Sequence, residues 1–214
     1  MTVSTKVLIA STGLFAVLLF ASTQVMSQEK KSAQPPDQKE PGQKDMEEMM
    51  AQWAAMNAKG PEHEKFESMV GTWDAESRFW MSPDAPPTVS KGSAVFKLIF
   101  DGRYIEQRFK CDWQGKPFEG IGIEGYDNFK KKYVSIWFDD QSTGIYMSLG
   151  TSDETGKVCT YYGKMDDPMT GQKDKVVKSI AREISKDKAV FEMYDKKPDG
   201  EEFKSMEITY TRRK

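Results

Sequence analysis

The side chains best suited to acid–base chemistry in this sequence stand in two adjacent carboxylate pairs. Asp139 and Asp140 lie in the segment WFDDQSTG, residues 137–144, and Asp166 and Asp167 come just before a proline. Hydrolysis of a glycoside, for example, needs two carboxyl groups that project into one cavity about 5 to 10 Å apart. Because adjacent residues of a strand point to opposite faces of the sheet, neither pair is arranged for that reaction.

Both carboxylate pairs are better explained as parts of turns. In DDQSTG the carboxylates and hydroxyls are suited to accept hydrogen bonds from turn amides, and Gly144 suits a backbone with positive φ. The segment DDPMTGQKD has the Pro and Gly of a turn, but it lacks oxygen ligands at the alternating positions that a calcium loop requires. We therefore predict tight connections at both places rather than catalytic loops.

The remaining residue types give little support to nucleophilic or metal-dependent catalysis. The only histidine, His63, precedes the first predicted strand, where a solvated position on a helix is a simpler interpretation than a catalytic one. The two cysteines, Cys111 and Cys159, form no Cys-x-x-Cys motif, and paired histidines are absent. We therefore expect no catalytic residue, no metal and no cofactor.

Charge and length limit the classes of partner. The chain has 214 residues, with 31 basic and 33 acidic side chains and a formal net charge of −2, which suits one domain with appendages. A nucleic-acid-binding protein would be expected to carry a basic stripe, so we expect no nucleic-acid partner.

The first 27 residues have the parts of a secretory signal peptide. Lys6 precedes an apolar run from Val7 to Phe20, and small residues up to Ser27 offer a cleavage site. The alternative is an uncleaved membrane anchor over residues 7–26, since this stretch nearly reaches the roughly 20 residues that a spanning helix needs. We expect an exported protein, periplasmic or extracellular, that meets a membrane only if this segment is retained.

Export permits a disulfide between the two cysteines. However, Cys111 and Cys159 fall on predicted strands that are not neighbours in the sequence, and a bridge needs Cα atoms within about 7 Å. Free buried thiols are therefore the default expectation.

Two regions separate the signal peptide from the body of the protein. Residues 28–44 are polar and contain proline, which predicts a disordered tether. Residues 45–70 are predicted to be helical, and their apolar residues recur at helical spacing: Met46, Met49, Met50, Trp53 and Met56. The favoured interpretation is that this stripe covers part of the domain, and the alternative is a Met-rich surface for a partner or ligand.

Residues 71–214 are predicted to form an all-β domain, because apolar residues alternate with polar ones and turn residues recur about every dozen positions. The hairpin tips carry Asp-Gly, Thr-Gly or Asp-Lys. About ten antiparallel strands joined by hairpins must form two sheets or close on themselves. The predicted strands are 72–80, 88–100, 103–112, 117–126, 132–139, 144–151, 157–165, 173–185, 188–196 and 202–213.

Alternation also predicts which residues face inward. The first strand directs Trp73 and Phe79 to the buried face, and the sixth directs Ile145, Met147 and Leu149 there. The fifth strand, YVSIWFDD, is apolar on both faces, which indicates that something covers its outer side. The Met-rich helix is the candidate for that cover.

The two ends of the β domain resemble the lipocalin and fatty-acid-binding barrels of the calycin group. GTW at residues 71–73 opens the first strand, and the last strand ends in Arg212 on the same face as Ile208 and Tyr210. The resemblance implies a closed up-and-down barrel in which Trp73 plugs one end and Arg212 packs across it. A guanidinium is able to stack on an indole while donating hydrogen bonds to nearby carbonyls.

A second resemblance covers residues 63–213. The segments GTWDAESRFW, PFEGIGIEGYDNFKKKYVSIWFDDQSTG, DPMTG and MEITYTRR are similar to the bacterial family known as domain of unknown function 1579. The family implies a barrel but brings no established activity and no site residue.

A ten-stranded barrel is wide enough to leave a cavity, and a small-molecule site is usually apolar with few polar groups. The leading hypothesis is an exported barrel that binds a small apolar or amphipathic molecule. The alternatives are an enzyme of calycin-like fold that uses tyrosine or carboxylate acid–base chemistry, and an envelope interaction protein that works through the Met-rich helix. The predicted cavity residues are Ser77, Phe79, Gln107, Tyr133, Trp137 and Met147.

Overall fold

The computed structural model describes residues 42–167, 170–197 and 199–214. The predicted signal peptide and all but the last three residues of the predicted tether lie outside these ranges. The ten strands are β1 Gly71–Phe79, β2 Thr88–Ile99, β3 Tyr104–Trp113, β4 Lys116–Asp127, β5 Lys132–Asp139, β6 Tyr146–Ser152, β7 Val158–Asp167, β8 Gln172–Ser185, β9 Lys188–Lys196 and β10 Glu202–Arg212.

The strands form one closed antiparallel barrel in which each strand pairs with its neighbours in the sequence. The first and last strands complete the ring, with Trp73 opposite Arg212 and Phe79 opposite Met206. The predicted fold, an up-and-down barrel of ten strands, is confirmed. Closure pairs every strand on both sides, so the sheet has no free edge.

From residue 42 to the barrel, the structure shows three helical segments: α1 Gln43–Met56, α2 Pro61–Glu64 and a 3₁₀ helix, Lys65–Met69. In the part of the chain that the structure describes, no helix has the length and apolar character needed to cross a bilayer. Phe66 of the 3₁₀ helix is buried and meets Tyr133 of β5 edge to face, with ring centroids 6.1 Å apart. The 3₁₀ helix therefore contributes an aromatic side chain to the core of the barrel.

His63 is buried, so the expected solvated position on a helix surface was wrong. Its Nδ1 accepts a hydrogen bond of 3.0 Å from the Gly60 amide, and its ring packs edge to face against Phe66 and Tyr126. The imidazole caps the first turn of α2 and fills the space between the helices and the barrel. Its observed role is structural.

Trp73 and Arg212 close one end of the barrel in the predicted arrangement. The indole is 1% exposed, and the Arg212 guanidinium carbon lies 4.0 Å from the centre of its ring. Arg212 also donates hydrogen bonds to the carbonyls of Val70, Ser68 and Lys186. Trp73 Nε1 donates to the Met69 carbonyl at 2.8 Å. The cation–π pair of Arg212 and Trp73 thus links the first strand, the last strand and the 3₁₀ helix.

Helix α1 does not cover the barrel, contrary to the favoured interpretation of its apolar stripe. None of its residues is buried. Among the described residues, hydrogen bonds connect this helix to the barrel only near its C-terminal end. There the Asn128 amide donates to the Met56 and Ala58 carbonyls at 2.8 and 2.7 Å. The side chains of the helix therefore have few apolar neighbours. The stripe is 46 to 64% exposed at Met46, Met49, Met50, Trp53 and Met56.

The predicted orientation of the sixth strand was also wrong. Met147 is 58% exposed and Leu149 is 40% exposed, so both lie on the outer face of β6. Ile145 precedes the strand and is 70% exposed. Ser148 and Gly150 face inward instead. From Met147 to Gly150 the inner positions carry small residues and the outer positions carry apolar ones, which reverses the usual pattern.

Candidate functional site

The barrel encloses a cavity of about 1430 Å³. Side chains from β1 to β10 line this central cavity, and the 3₁₀ helix adds Phe66 and Met69 at the end closed by Trp73. The loop of residues 140–145 lines it at the opposite end. A cavity of this size exceeds the roughly 300 to 1,000 Å³ typical of small-molecule sites.

The cavity exists because many inward-facing positions carry small side chains. Strand registers place alanine, serine or glycine on the inner face of eight of the ten strands. These residues are Ala75, Ser77, Ser90, Gly92, Ala94, Gly120, Gly122, Ser135, Ser148, Gly150, Gly163, Ser179, Ala181 and Ala189. Larger side chains at these positions would fill the interior, as they do in smaller barrels.

Three of these glycines let aromatic side chains lie against the barrel wall. A Cβ at Gly120 would stand 2.2 Å from Cζ2 of Trp137, and one at Gly150 would stand 2.4 Å from Cε1 of Tyr161. A Cβ at Gly163 would likewise meet the Tyr146 ring. Each ring therefore rests on the backbone of the neighbouring strand and leaves the centre of the cavity open.

Trp137 forms part of an aromatic wall. Its ring lies 6.2 Å from Phe109, which lies 6.1 Å from Phe118, and both contacts are edge to face. The indole Nε1 donates a hydrogen bond of 2.9 Å to Asp139 Oδ2. This hydrogen bond fixes the orientation of the indole within the wall.

The Asp139 carboxylate organises the loop that follows β5, as predicted for the segment DDQSTG, but the positive φ expected at Gly144 was wrong. Its Oδ1 accepts hydrogen bonds from the backbone amides of Gln141 and Ser142 at 3.0 and 3.1 Å. The Asp140 carboxylate is exposed and accepts a hydrogen bond from the Gln141 side chain. The two adjacent carboxylates thus have separate surroundings and do not form a catalytic pair.

We expect Asp139→Ala to lower the free energy of unfolding by about 1.5 kcal/mol, because two turn amides and the Trp137 indole lose their acceptor. Asp140→Ala, the matched control, is expected to stay within about 0.5 kcal/mol of wild type. Urea unfolding followed by tryptophan fluorescence measures both values. Equal effects of the two substitutions would contradict the assigned role of Asp139.

A second group of polar side chains lies deeper in the cavity. Glu124 of β4 is half-buried, and its side chain faces the cavity interior beside Ser135. The Tyr161 hydroxyl donates a hydrogen bond of 2.6 Å to Glu124 Oε1. Cys159 and Tyr133 complete the group, which we call the Glu124 cluster.

Burial determines the ionisation of the Glu124 cluster. It raises the pKa of the Glu124 carboxyl from 4.5 to about 7, and the hydrogen bond from Tyr161 offsets only part of this. Burial also raises the pKa of the Tyr161 and Tyr133 phenols, and that of the Cys159 thiol to about 12. At neutral pH, Glu124 is the one member that gains or loses a proton.

Other polar groups are spread around the cavity wall. Gln107 of β3 donates a hydrogen bond of 2.9 Å to the hydroxyl of Tyr210, which is fully buried on β10. Ser77 and Ser90 are buried as a cross-strand pair, and the Ser90 hydroxyl has no partner among the described residues. The cavity is therefore apolar over most of its surface and offers a few polar groups at defined places.

The comparison with protein families identifies one family over most of the described chain. Residues 58–212 match the family described as "Protein of unknown function (DUF1579)". The chain belongs to the DUF1579 family. The match begins after α1 ends, so the exposed helix lies outside the part that this DUF1579 protein shares with the family. Among curated proteins, none matches the sequence.

The solved structure of Rv2717c supports the fold of the DUF1579 chain. Rv2717c from M. tuberculosis is 14% identical with a TM-score of 0.53, over 73% of this chain and 100% of that protein. A redesigned β-barrel and a de novo fluorescence-activating β-barrel give TM-scores of 0.38 and 0.39 at 13% and 16% identity. They align with 70% and 69% of this chain and with 95% of their own lengths. The likeness to Rv2717c establishes the fold alone.

The structure of the DUF1579 protein brings most of the predicted cavity residues together. Met147 is the exception, because it lies on the outer face of β6. The cavity residues among those predicted are Ser77, Phe79, Gln107, Tyr133 and Trp137.

Sequence reasoning missed Glu124 and Tyr161, which are joined by a hydrogen bond inside the DUF1579 cavity. The segment FEGIGIEGYD contains Ile121 and Ile123, whose apolar side chains imply that Glu124 faces outward. The orientation of Glu124 follows from the register between β3 and β4. Glu124 pairs with the inward-facing Ile105, so its side chain faces the cavity.

Both cysteines of the DUF1579 chain are free, as predicted. Cys111 and Cys159 line the cavity on β3 and β7 but form no disulfide. Within residues 42–214, apart from the three undescribed positions, no three His, Cys, Asp or Glu side chains come together as a set of metal ligands.

Proposed function

We propose that this protein binds or carries a small apolar or amphipathic molecule in the central cavity. The observation that supports the proposal most strongly is the volume of about 1430 Å³ enclosed by a wall of aromatic, aliphatic and small side chains. Burial of apolar ligand surface contributes about 25 cal/mol per Å², so such a wall is able to bind a lipid-sized molecule.

The polar groups indicate an amphipathic rather than a purely apolar ligand. The Glu124 cluster lies inside the cavity, whereas the aromatic wall around Trp137 extends toward the loop at residues 140–145. A molecule with one polar end would place that end at the cluster and its apolar part against the wall. The apolar run at residues 7–26 supports export, so we propose that binding takes place outside the cytoplasm.

The second candidate is an enzyme that uses acid–base chemistry, and Glu124 is the observation that favours it. Its pKa of about 7 suits proton transfer near neutral pH, and the Tyr161 hydroxyl donates a hydrogen bond to one of its carboxyl oxygens. A carrier would release its bound molecule unchanged, whereas an enzyme would convert the molecule to a different product in a reaction that Glu124→Gln abolishes.

We expect Ser135→Phe to weaken binding of the neutral fluorescent probe N-phenyl-1-naphthylamine at least about 10-fold, because the new ring occupies the cavity. Ser135 lies between Tyr133 and Trp137 on the inner face of β5. The matched control is Met147→Phe, which adds a similar ring to the outer face of the adjacent strand.

Probe titration compares the dissociation constants of wild type and both variants. Met147→Phe is expected to stay within about twofold of wild type, since surface substitutions have small effects. If Ser135→Phe binds the probe as tightly as wild type does, the ligand does not occupy the central cavity and the proposal fails.

A further inference from the structure

We infer that the polar end of the ligand is a protonated amine and that Glu124 is the residue that binds it. This inference rests on the proposed function, because it assigns one end of the molecule in the central cavity. The Glu124 carboxyl has an incomplete set of hydrogen-bond partners among the described residues.

Among the described residues, only one oxygen of the Glu124 carboxyl has a protein partner. The Tyr161 hydroxyl donates to Oε1 at 2.6 Å, and no donor among the described residues reaches Oε2. No lysine, arginine or histidine of the described chain forms an ion pair with Glu124. The carboxyl therefore presents an unused acceptor to the cavity.

The groups that surround Glu124 are neutral at neutral pH. Tyr161 and Cys159 face it from β7 and Tyr133 faces it from β5, while Ser135 and Ile105 are its cross-strand neighbours. Beyond them lie Tyr126 on the same strand and, at the closed end, Glu62 of α2, whose charge acts on Tyr133 and Tyr126. The charges of Lys65 and Asp153 act on Cys159. Within the described part of the chain, no cation forms an ion pair with the carboxyl itself.

Such surroundings favour a cationic head group over an anionic one. A carboxylate or phosphate needs a positive partner, and the cavity-lining basic residues, Lys65, Lys157, Lys164 and Arg182, form no ion pair with the Glu124 cluster. A protonated amine would gain a charge-assisted hydrogen bond from Oε2. The Tyr133 and Tyr161 rings would add cation–π attraction.

The pH dependence of binding follows from the ionisation of Glu124. A protonated amine binds the carboxylate, so protons compete with it below the carboxyl's pKa of about 7. Competition by one proton at a pKa near 7 weakens amine binding about 30-fold when the pH falls from 8 to 5.5. A neutral ligand of the same length has no such competition, and its affinity is expected to stay constant.

Three ligands with the same ten-carbon tail test the inference: decylamine, 1-decanol and decanoate. Each displaces N-phenyl-1-naphthylamine from wild type and from Glu124→Gln at pH 8. In wild type we expect decylamine to bind at least about 10-fold more tightly than 1-decanol, and decanoate to bind more weakly than either. In Glu124→Gln the preference for the amine is expected to disappear while the affinity for 1-decanol is retained.

The outcomes separate this inference from the proposed function. If wild type binds decylamine and 1-decanol equally, the head-group assignment is overturned and the cavity proposal stands. If neither ligand displaces the probe, both are overturned. The wild-type pH profile needs no variant, so it decides the question even if Glu124→Gln fails to fold: a flat profile for decylamine between pH 8 and 5.5 contradicts the role of Glu124.

Discussion

Replacing Trp73 with alanine is expected to lower the free energy of unfolding by about 4 kcal/mol, the largest effect that we predict for a single substitution. The indole is 1% exposed, and it packs against Phe96 and beneath the Arg212 guanidinium. Its removal leaves a cavity at the closed end of the barrel and deprives Arg212 of its stacking partner. Because β1 and β10 meet at this place, the loss weakens closure of the barrel itself.

Trp53→Ala is the matched control for Trp73→Ala. Trp53 is 64% exposed on α1, so its replacement is expected to change stability by less than about 0.5 kcal/mol. Urea unfolding followed by far-UV circular dichroism gives both values without depending on tryptophan fluorescence. A loss below about 1 kcal/mol for Trp73→Ala would show that the stack does not hold the barrel closed.

Gly120→Ala is expected to destabilise the protein by about 3 kcal/mol and to weaken probe binding at least about 10-fold. The new methyl group would stand 2.2 Å from Cζ2 of Trp137, a distance that no real contact adopts. The indole must therefore leave the wall, lose its hydrogen bond to Asp139 and enter the cavity. This substitution thus tests whether the position of the Trp137 ring against the barrel wall keeps the cavity open.

Gly144→Ala provides the control for Gly120→Ala, because a Cβ at Gly144 meets nothing within 4 Å. Its stability is expected to match that of wild type within about 0.5 kcal/mol. Chemical unfolding and probe titration on the same samples measure both effects. Unchanged probe binding in Gly120→Ala would mean that the position of Trp137 does not shape the site.

The fold was predictable because turn chemistry and alternation are local signals. Ten strands were located from the Asp-Gly and Thr-Gly pairs at the hairpin tips and from the alternation of apolar and polar residues. Their predicted ends lie within about two residues of those observed. The pairing of Trp73 with Arg212 was expected from the resemblance to the calycin barrels, and the register of the first and last strands shows it.

The details of the cavity were harder to predict, because they depend on register between strands. An open interior requires small inward residues, so β6 carries Ser148 and Gly150 inside and the apolar Met147 outside. A pattern that assigns apolar residues to the interior fails in such a strand. Glu124 was missed for the same reason, since its inward position follows from pairing with Ile105.

The positions of α1 and His63 depend on tertiary contacts that composition does not specify. An amphipathic stripe predicts a helix but does not identify its partner, and here the stripe around Trp53 is exposed. A single histidine near a helix is compatible with a solvated or a buried position. Contacts with Gly60, Phe66 and Tyr126 fix His63 in the buried position.

The central claim is that the cavity of about 1430 Å³ holds a small molecule, and native mass spectrometry of the protein purified from its own host tests it most directly. We predict that wild type retains a stoichiometric small molecule and that Ser135→Phe, purified in the same way, does not. Wild-type protein that is repeatedly empty, or equal retention by Ser135→Phe, would contradict the account.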